Sequence, residues 1–169
     1  MIEIIRTSRY PNITRPKISV GIGDCKIASN PHVLVTYSLG SCVAIVLYEH
    51  HVKTAALIHA LLPEPKSSND NPYKYVRSAI PRAVKELEKK GIQKNMLIAS
   101  IVGGASILKS TVSMSIGKRN VETAKSVLKT YGIKLVVEDT GGSHSRSVYF
   151  DVATGRLFVI VPKFKLFGG

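Results

Sequence analysis

The sequence predicts an α/β-class (α+β) fold, with a β-sandwich-like sheet core and helices packed outside it. Three observations point there. Short apolar and β-branched runs dominate the chain, and two of them, CVAIVLY at 42–48 and KTAALIHAL at 53–61, are separated by only a few polar residues. Two segments carry helical spacing instead, and they interrupt the strands without alternating regularly with them. The glycine-rich stretches GGAS at 103–106 and TGGSHS at 140–145 fit neither a Walker nor a dinucleotide pattern. A doubly wound nucleotide-binding fold is therefore set aside.

The elements follow in order. Residues 1–17 hold two of the prolines and a local run of basic residues (Arg6, Arg9, Arg15, Lys17), and read as a basic N-terminal extension. The domain proper is expected over 18–169. Residues 18–28 look like a strand broken by glycines, and VLVTY at 33–37 is β-branched and strand-like. The two apolar runs at 42–48 and 53–61 form a hairpin across EHHV. PEPKSSNDNP at 63–72 is a polar loop. A helix follows over about 72–90, capped by Asn71, with Pro81 an awkward residue inside it. Its apolar positions Val76, Ala79, Ile80, Ala83, Val84 and Leu87 share one face. MLIASIV at 96–102 reads as a buried strand ending at Gly103-Gly104. A second helix is expected over about 120–131, capped by Asn120 and stopped by Gly132. Strands close the chain at about 133–138, 147–152 and 157–162.

A chain of 169 residues with 44% hydrophobic content can bury one real core. No apolar run reaches the roughly 18–20 residues of a membrane span, and the first residues lack a signal-peptide pattern. A cytoplasmic protein without membrane insertion is expected. Lys and Arg number 24 against 11 Asp and Glu, a net charge of +13 that attracts anionic partners. The basic residues are spread along the chain, and no RNA-binding aromatic signature accompanies them, so no nucleic acid partner is expected. The two cysteines, Cys25 and Cys42, fit no zinc motif, and a disulfide is disfavoured in that compartment.

Cys42 is the residue that raises a chemical question, because it sits where the bend SLGS meets a buried strand. If the hairpin loop centres between His50 and His51, Cys42 lies directly opposite His59. Opposed residues share a face, with Cβ atoms roughly 4.5–5.5 Å apart. A thiol is a weak nucleophile at neutral pH, and an adjacent imidazole can take its proton and later protonate a leaving group. Alone, either residue reads more simply as core. A third group must orient the ring. Thr36 is one candidate, with Ser38, Ser41, Tyr37 and Asp139 as rivals. The bend at Gly40-Ser41 can present backbone N–H groups as an oxyanion hole, and Gly103 and Gly104 are further candidates for shaping the site. His50 and His51 read as an exposed loop pair, His32 as a surface residue, His144 as a loop residue bordering the site and Cys25 as a bystander.

VTYSLGSCVAIVLY followed by HALLP at 59–63 resembles the CheD family of chemoreceptor glutamine deamidases. GIGD at 21–24, VGGAS at 102–106, IGKRNVE at 116–122 and EDTGGSHSRSVYFDVATG at 138–155 continue the resemblance in order. It implies hydrolysis of receptor glutamine amides to glutamate and ammonia, with Cys42, His59 and Thr36 as the catalytic set and no cofactor or metal. It also implies a fold similar to the cytotoxic necrotizing factor deamidases. Chemotaxis receptor cytoplasmic domains are the implied substrate, and the CheC phosphatase an implied partner. A mainly regulatory role through CheC, or hydrolysis of receptor glutamate methyl esters, are the alternatives.

Overall fold

The computed structural model describes residues 1–107 and 111–163. Its strands are β1 (Glu3–Thr7), β2 (Lys17–Ser19), β3 (Asp24–Ser29), β4 (Val33–Leu39), β5 (Val43–Glu49), β6 (Thr54–Ala60), β7 (Ile98–Gly103), β8 (Lys134–Thr140), β9 (Arg146–Asp151) and β10 (Arg156–Ile160). Two α-helices, α1 (Val76–Lys89) and α2 (Thr111–Thr130), and two single helical turns, Pro72–Lys74 and Lys94–Met96, accompany them among the described residues. The strands form two five-stranded sheets, one in the order β1-β10-β9-β4-β2 and the other in the order β3-β6-β5-β7-β8.

The layers follow from strand parity, since alternate residues face opposite sides of a sheet. Leu34, Phe150, Leu157 and Val159 of one sheet pack with Ala44, Val46, Leu57 and Val102 of the other. On the far side of the second sheet, Val43, Ile45, Leu47, Ala56 and Ile58 pack against Ile80, Leu87, Leu128 and their neighbours on the helices. The result is a sandwich with both helices outside, as expected. β5 lies in the middle of this arrangement, and every one of its residues is buried.

Three local expectations are corrected. Residues 1–17 do not stand apart from the domain: Glu3–Thr7 runs parallel to β10, and Arg15 pairs with buried Asp151. Ile2 and Ile4 pack into the core between the sheets, an alternation too short to read in sequence. The first helix starts at Val76; Asn71 caps only the single helical turn Pro72–Lys74, accepting from the Tyr73 N–H. The second helix starts at Thr111, so Asn120 is a mid-helix residue and fully buried. An asparagine favours helix starts, which is why sequence reasoning placed the boundary there.

Candidate active site

The hairpin forms, but its centre lies one residue further along than expected. β5 and β6 pair Glu49 with Thr54, leaving His50 to Lys53 as the loop. The buried Glu49 carboxylate fixes this turn by accepting from the backbone N–H groups of His51 and Val52. The pairing therefore places Ala44, not Cys42, opposite His59. Shifting the centre by one residue moves the partner by two, which preserves the face. Cys42 and His59 thus lie on the inner side of the second sheet, diagonal to each other and not opposed.

Thr36 approaches from the other sheet. It shares the inner face of β4 with Leu34 and is completely buried. Its Oγ1 lies 2.7 Å from the Val20 carbonyl oxygen and 2.7 Å from His59 Nδ1. A hydroxyl has one proton, and a carbonyl can only accept. Thr36 therefore donates to Val20 and accepts from the Nδ1–H of His59. This fixes the tautomer: Nε2 carries the lone pair. Among the described residues Nε2 is buried and has no hydrogen-bond partner.

Burial favours the neutral form of both the Cys42 and His59 side chains. It pulls the His59 imidazole down from 6.5 to about 4. It pushes the Cys42 thiol up from its ordinary value, only partly opposed by a hydrogen bond from the residue's own backbone N–H. Both shifts favour a neutral thiol and a neutral imidazole over a thiolate–imidazolium pair. Cys42 keeps 7% exposure and His59 2%.

The surrounding loops latch together. Gly104 N–H donates to the Cys42 carbonyl and Ala105 N–H to the Gly40 carbonyl, each at 2.8 Å. The Gly104 N–H is thereby occupied. A Cβ on Gly103 would sit 2.4 Å from the Cys42 carbonyl oxygen, so only glycine permits this approach. A β-bulge between Thr36 and Leu39, with Ser38 at φ 57°, turns the chain toward Gly40 and Ser41.

The other candidates lie elsewhere. Asp139 is held by Arg6 at 2.7 Å and Arg146 at 2.9 Å. Tyr37 and Ser38 are exposed; the Tyr37 hydroxyl meets that of Tyr149, and the Ser38 N–H donates to Ser147 Oγ. His50, His51 and His144 are exposed, and His32 is half-buried. Cys25 packs against the helix side of the second sheet, and burial beside Asp24 raises its thiol to about 12. Both cysteines are free thiols. A cleft of about 770 Å³ between α2 and the loops at Gly104 and Gly141-Gly142 excludes Cys42 and His59. It adjoins Cys42 through Gly104, whose N–H donates to the Cys42 carbonyl. Sequence reasoning missed Asn120, whose Nδ2 reaches the carbonyls of Ser41 and Leu61. Its signal was an asparagine inside IGKRNVE.

Known proteins give the same direction. A family described as CheD chemotactic sensory transduction matches residues 61–160, a span that starts just beyond His59. The chain is 45% identical over 140 residues to the chemoreceptor glutamine deamidase CheD of Thermotoga maritima, covering 83% of this chain and 88% of that one. It is 44% identical over 145 residues to the probable chemoreceptor glutamine deamidase CheD of Pyrococcus abyssi, covering 83% and 89%. In fold it is similar to a DUF152 protein of Neisseria meningitidis, with a TM-score of 0.50 at 8% identity over 76% of this chain and 65% of that one. With sequence likeness running through most of its length at this level, the chain belongs to the CheD family.

Proposed function

We propose that this chain deamidates glutamine side chains of chemoreceptors through a thioester on Cys42. The observation that carries the mechanism is the Thr36–His59 hydrogen bond, which leaves Nε2 unpartnered on the face that Cys42 shares. In the first step Cys42 Sγ bonds to the amide carbon, its proton passes to His59 Nε2, and the carbonyl π pair moves to oxygen. The C–N bond then breaks as Nε2–H protonates the departing nitrogen, releasing ammonia. Water adds to the thioester while Nε2 takes its proton, and cleavage of the C–S bond returns the thiol and leaves glutamate. Thr36 keeps the ring in the tautomer that each step needs.

A glutamate methyl ester would enter the same thioester with methanol as leaving group. A net charge of +13 suits an acidic partner surface. Docking of a CheC phosphatase is a separable property that a Cys42→Ala protein would retain. Among the described residues no helix is long and apolar enough to cross a membrane, in keeping with action on receptor cytoplasmic domains from solution.

The test is mass spectrometry of a receptor cytoplasmic domain after incubation with the protein. The expected result is a gain of about one dalton per converted amide, absent with Cys42→Ala. Unchanged mass with the wild-type chain, or continued conversion by Cys42→Ala, overturns the proposal.

A further inference from the structure

Asn120 breaks a local rule at a cost to folding. It is fully buried in the middle of α2, where asparagine is a poor helix former. Its Nδ2 donates to the Ser41 carbonyl at 2.9 Å and the Leu61 carbonyl at 3.0 Å. Two carbonyl acceptors require the NH₂ group, so the amide orientation is determined. Its Oδ1 is then buried without a donor among the described residues, which is unfavourable. Gly117 makes this reach possible: a Cβ there would lie 2.7 Å from the Gly104 carbonyl oxygen, so glycine lets the helix rest on residues 104–105. One turn further on, residue 120 meets the open end of the hairpin.

The two carbonyls are informative. Leu61 is two residues beyond His59, and Ser41 immediately precedes Cys42. The Ser41–Cys42 peptide is trans, since the cis bond in the structure is Asn30–Pro31. In a trans peptide the C=O and N–H point in opposite directions. With the Ser41 carbonyl turned onto Asn120, the Cys42 N–H is turned away from it. No backbone carbonyl among the described residues accepts from that N–H. The next peptide is held as well, by Gly104 on the Cys42 carbonyl.

We propose that Asn120 is a positioning residue: by holding the Ser41–Cys42 peptide it aims the Cys42 N–H at the oxyanion formed when the thiol adds to the substrate carbonyl. This rests on the thioester reading above. In that step the S–C bond forms, the carbonyl π pair becomes the oxyanion lone pair, and the thiol proton moves to His59. An N–H fixed in advance stabilises the new charge without rearranging.

The experiment compares two reactions of Cys42 in folded Asn120→Ala. Deamidation passes through an oxyanion; alkylation by iodoacetamide, read on the Cys42 peptide by mass spectrometry, does not. Deamidation kcat is expected to fall about ten- to hundredfold, with KM and the alkylation rate within about twofold. Wild-type kcat in the variant overturns the proposal, as does an alkylation rate that falls in parallel with kcat. If Asn120→Ala does not fold, Asn120→Ser, which keeps one donor, is read the same way; loss of folding in both marks a purely structural residue and overturns it. A wild-type protein inactive on the amide would sink the thioester reading itself, a result distinct from an active wild type with an unaffected variant.

Discussion

The two ends of the β5–β6 hairpin each bury polar groups around a histidine, yet they treat them in opposite ways. At the turn, Glu49 is nearly buried, and its two oxygens accept from the His51 N–H, the His51 ring and the Val52 N–H. Burial alone would raise its carboxyl, but those hydrogen bonds hold it below the usual range. Ser29 and Thr54 close the same end through a hydroxyl pair at 2.7 Å. At the mouth, His59 and Asn120 each keep one buried polar atom without a partner among the described residues. A satisfied cluster specifies a turn, whereas an unsatisfied one stores reactivity at the expense of stability. On the proposed mechanism, the difference separates a structural histidine from a chemical one more sharply than residue type does.

The comparison can be broken most easily at Thr36. Thr36→Val removes the acceptor for Nδ1–H and frees His59 to take the wrong tautomer. Deamidation kcat is expected to drop about a hundredfold, and Thr36→Ser to restore most of it. Equal activity in Thr36→Val would mean that the ring needs no such hold.

Titration sharpens the contrast next. A thiol raised above 9.0 predicts that iodoacetamide labelling of Cys42 keeps accelerating as pH rises past that value. A rate plateau below neutral pH would reveal a preformed ion pair. On the acid side, the folded protein holds His59 near 4 and the unfolded chain near 6.5, so the folded state binds fewer protons between those values. Stability should therefore decline as pH falls through that window, measurable as a lower denaturant midpoint. Deamidation should weaken near the lower limit, not near 6.5.

The smallest effect belongs to the turn. Glu49→Gln places an NH₂ against a backbone N–H and should cost about 1–2 kcal/mol in urea unfolding. Its kcat should stay within about twofold of wild type. A large kcat loss there would erase the distinction between the two ends.

The hairpin itself was legible because apolar runs flank a short polar loop, and the shared face of Cys42 and His59 survived an error in the loop centre. The register was not legible: the turn is set by Glu49 reaching forward to two N–H groups, a side-chain choice that pattern alone does not reveal. The N-terminal strand was missed because five residues give too little alternation to recognise, and its partner lies at the other end of the chain.

The sequence by itself determined the sandwich class, the face that carries Cys42 and His59, and the family to which the motifs point. Periodicity and local composition encode these directly. Tertiary structure decided that the Thr36 hydroxyl meets the imidazole, that burial favours the neutral thiol and imidazole, and that an asparagine in mid-helix reaches the peptide before the thiol. Those facts arise from groups 16 to 79 residues apart in the chain, brought together by the closing of two sheets and one helix, and desolvated by the same packing.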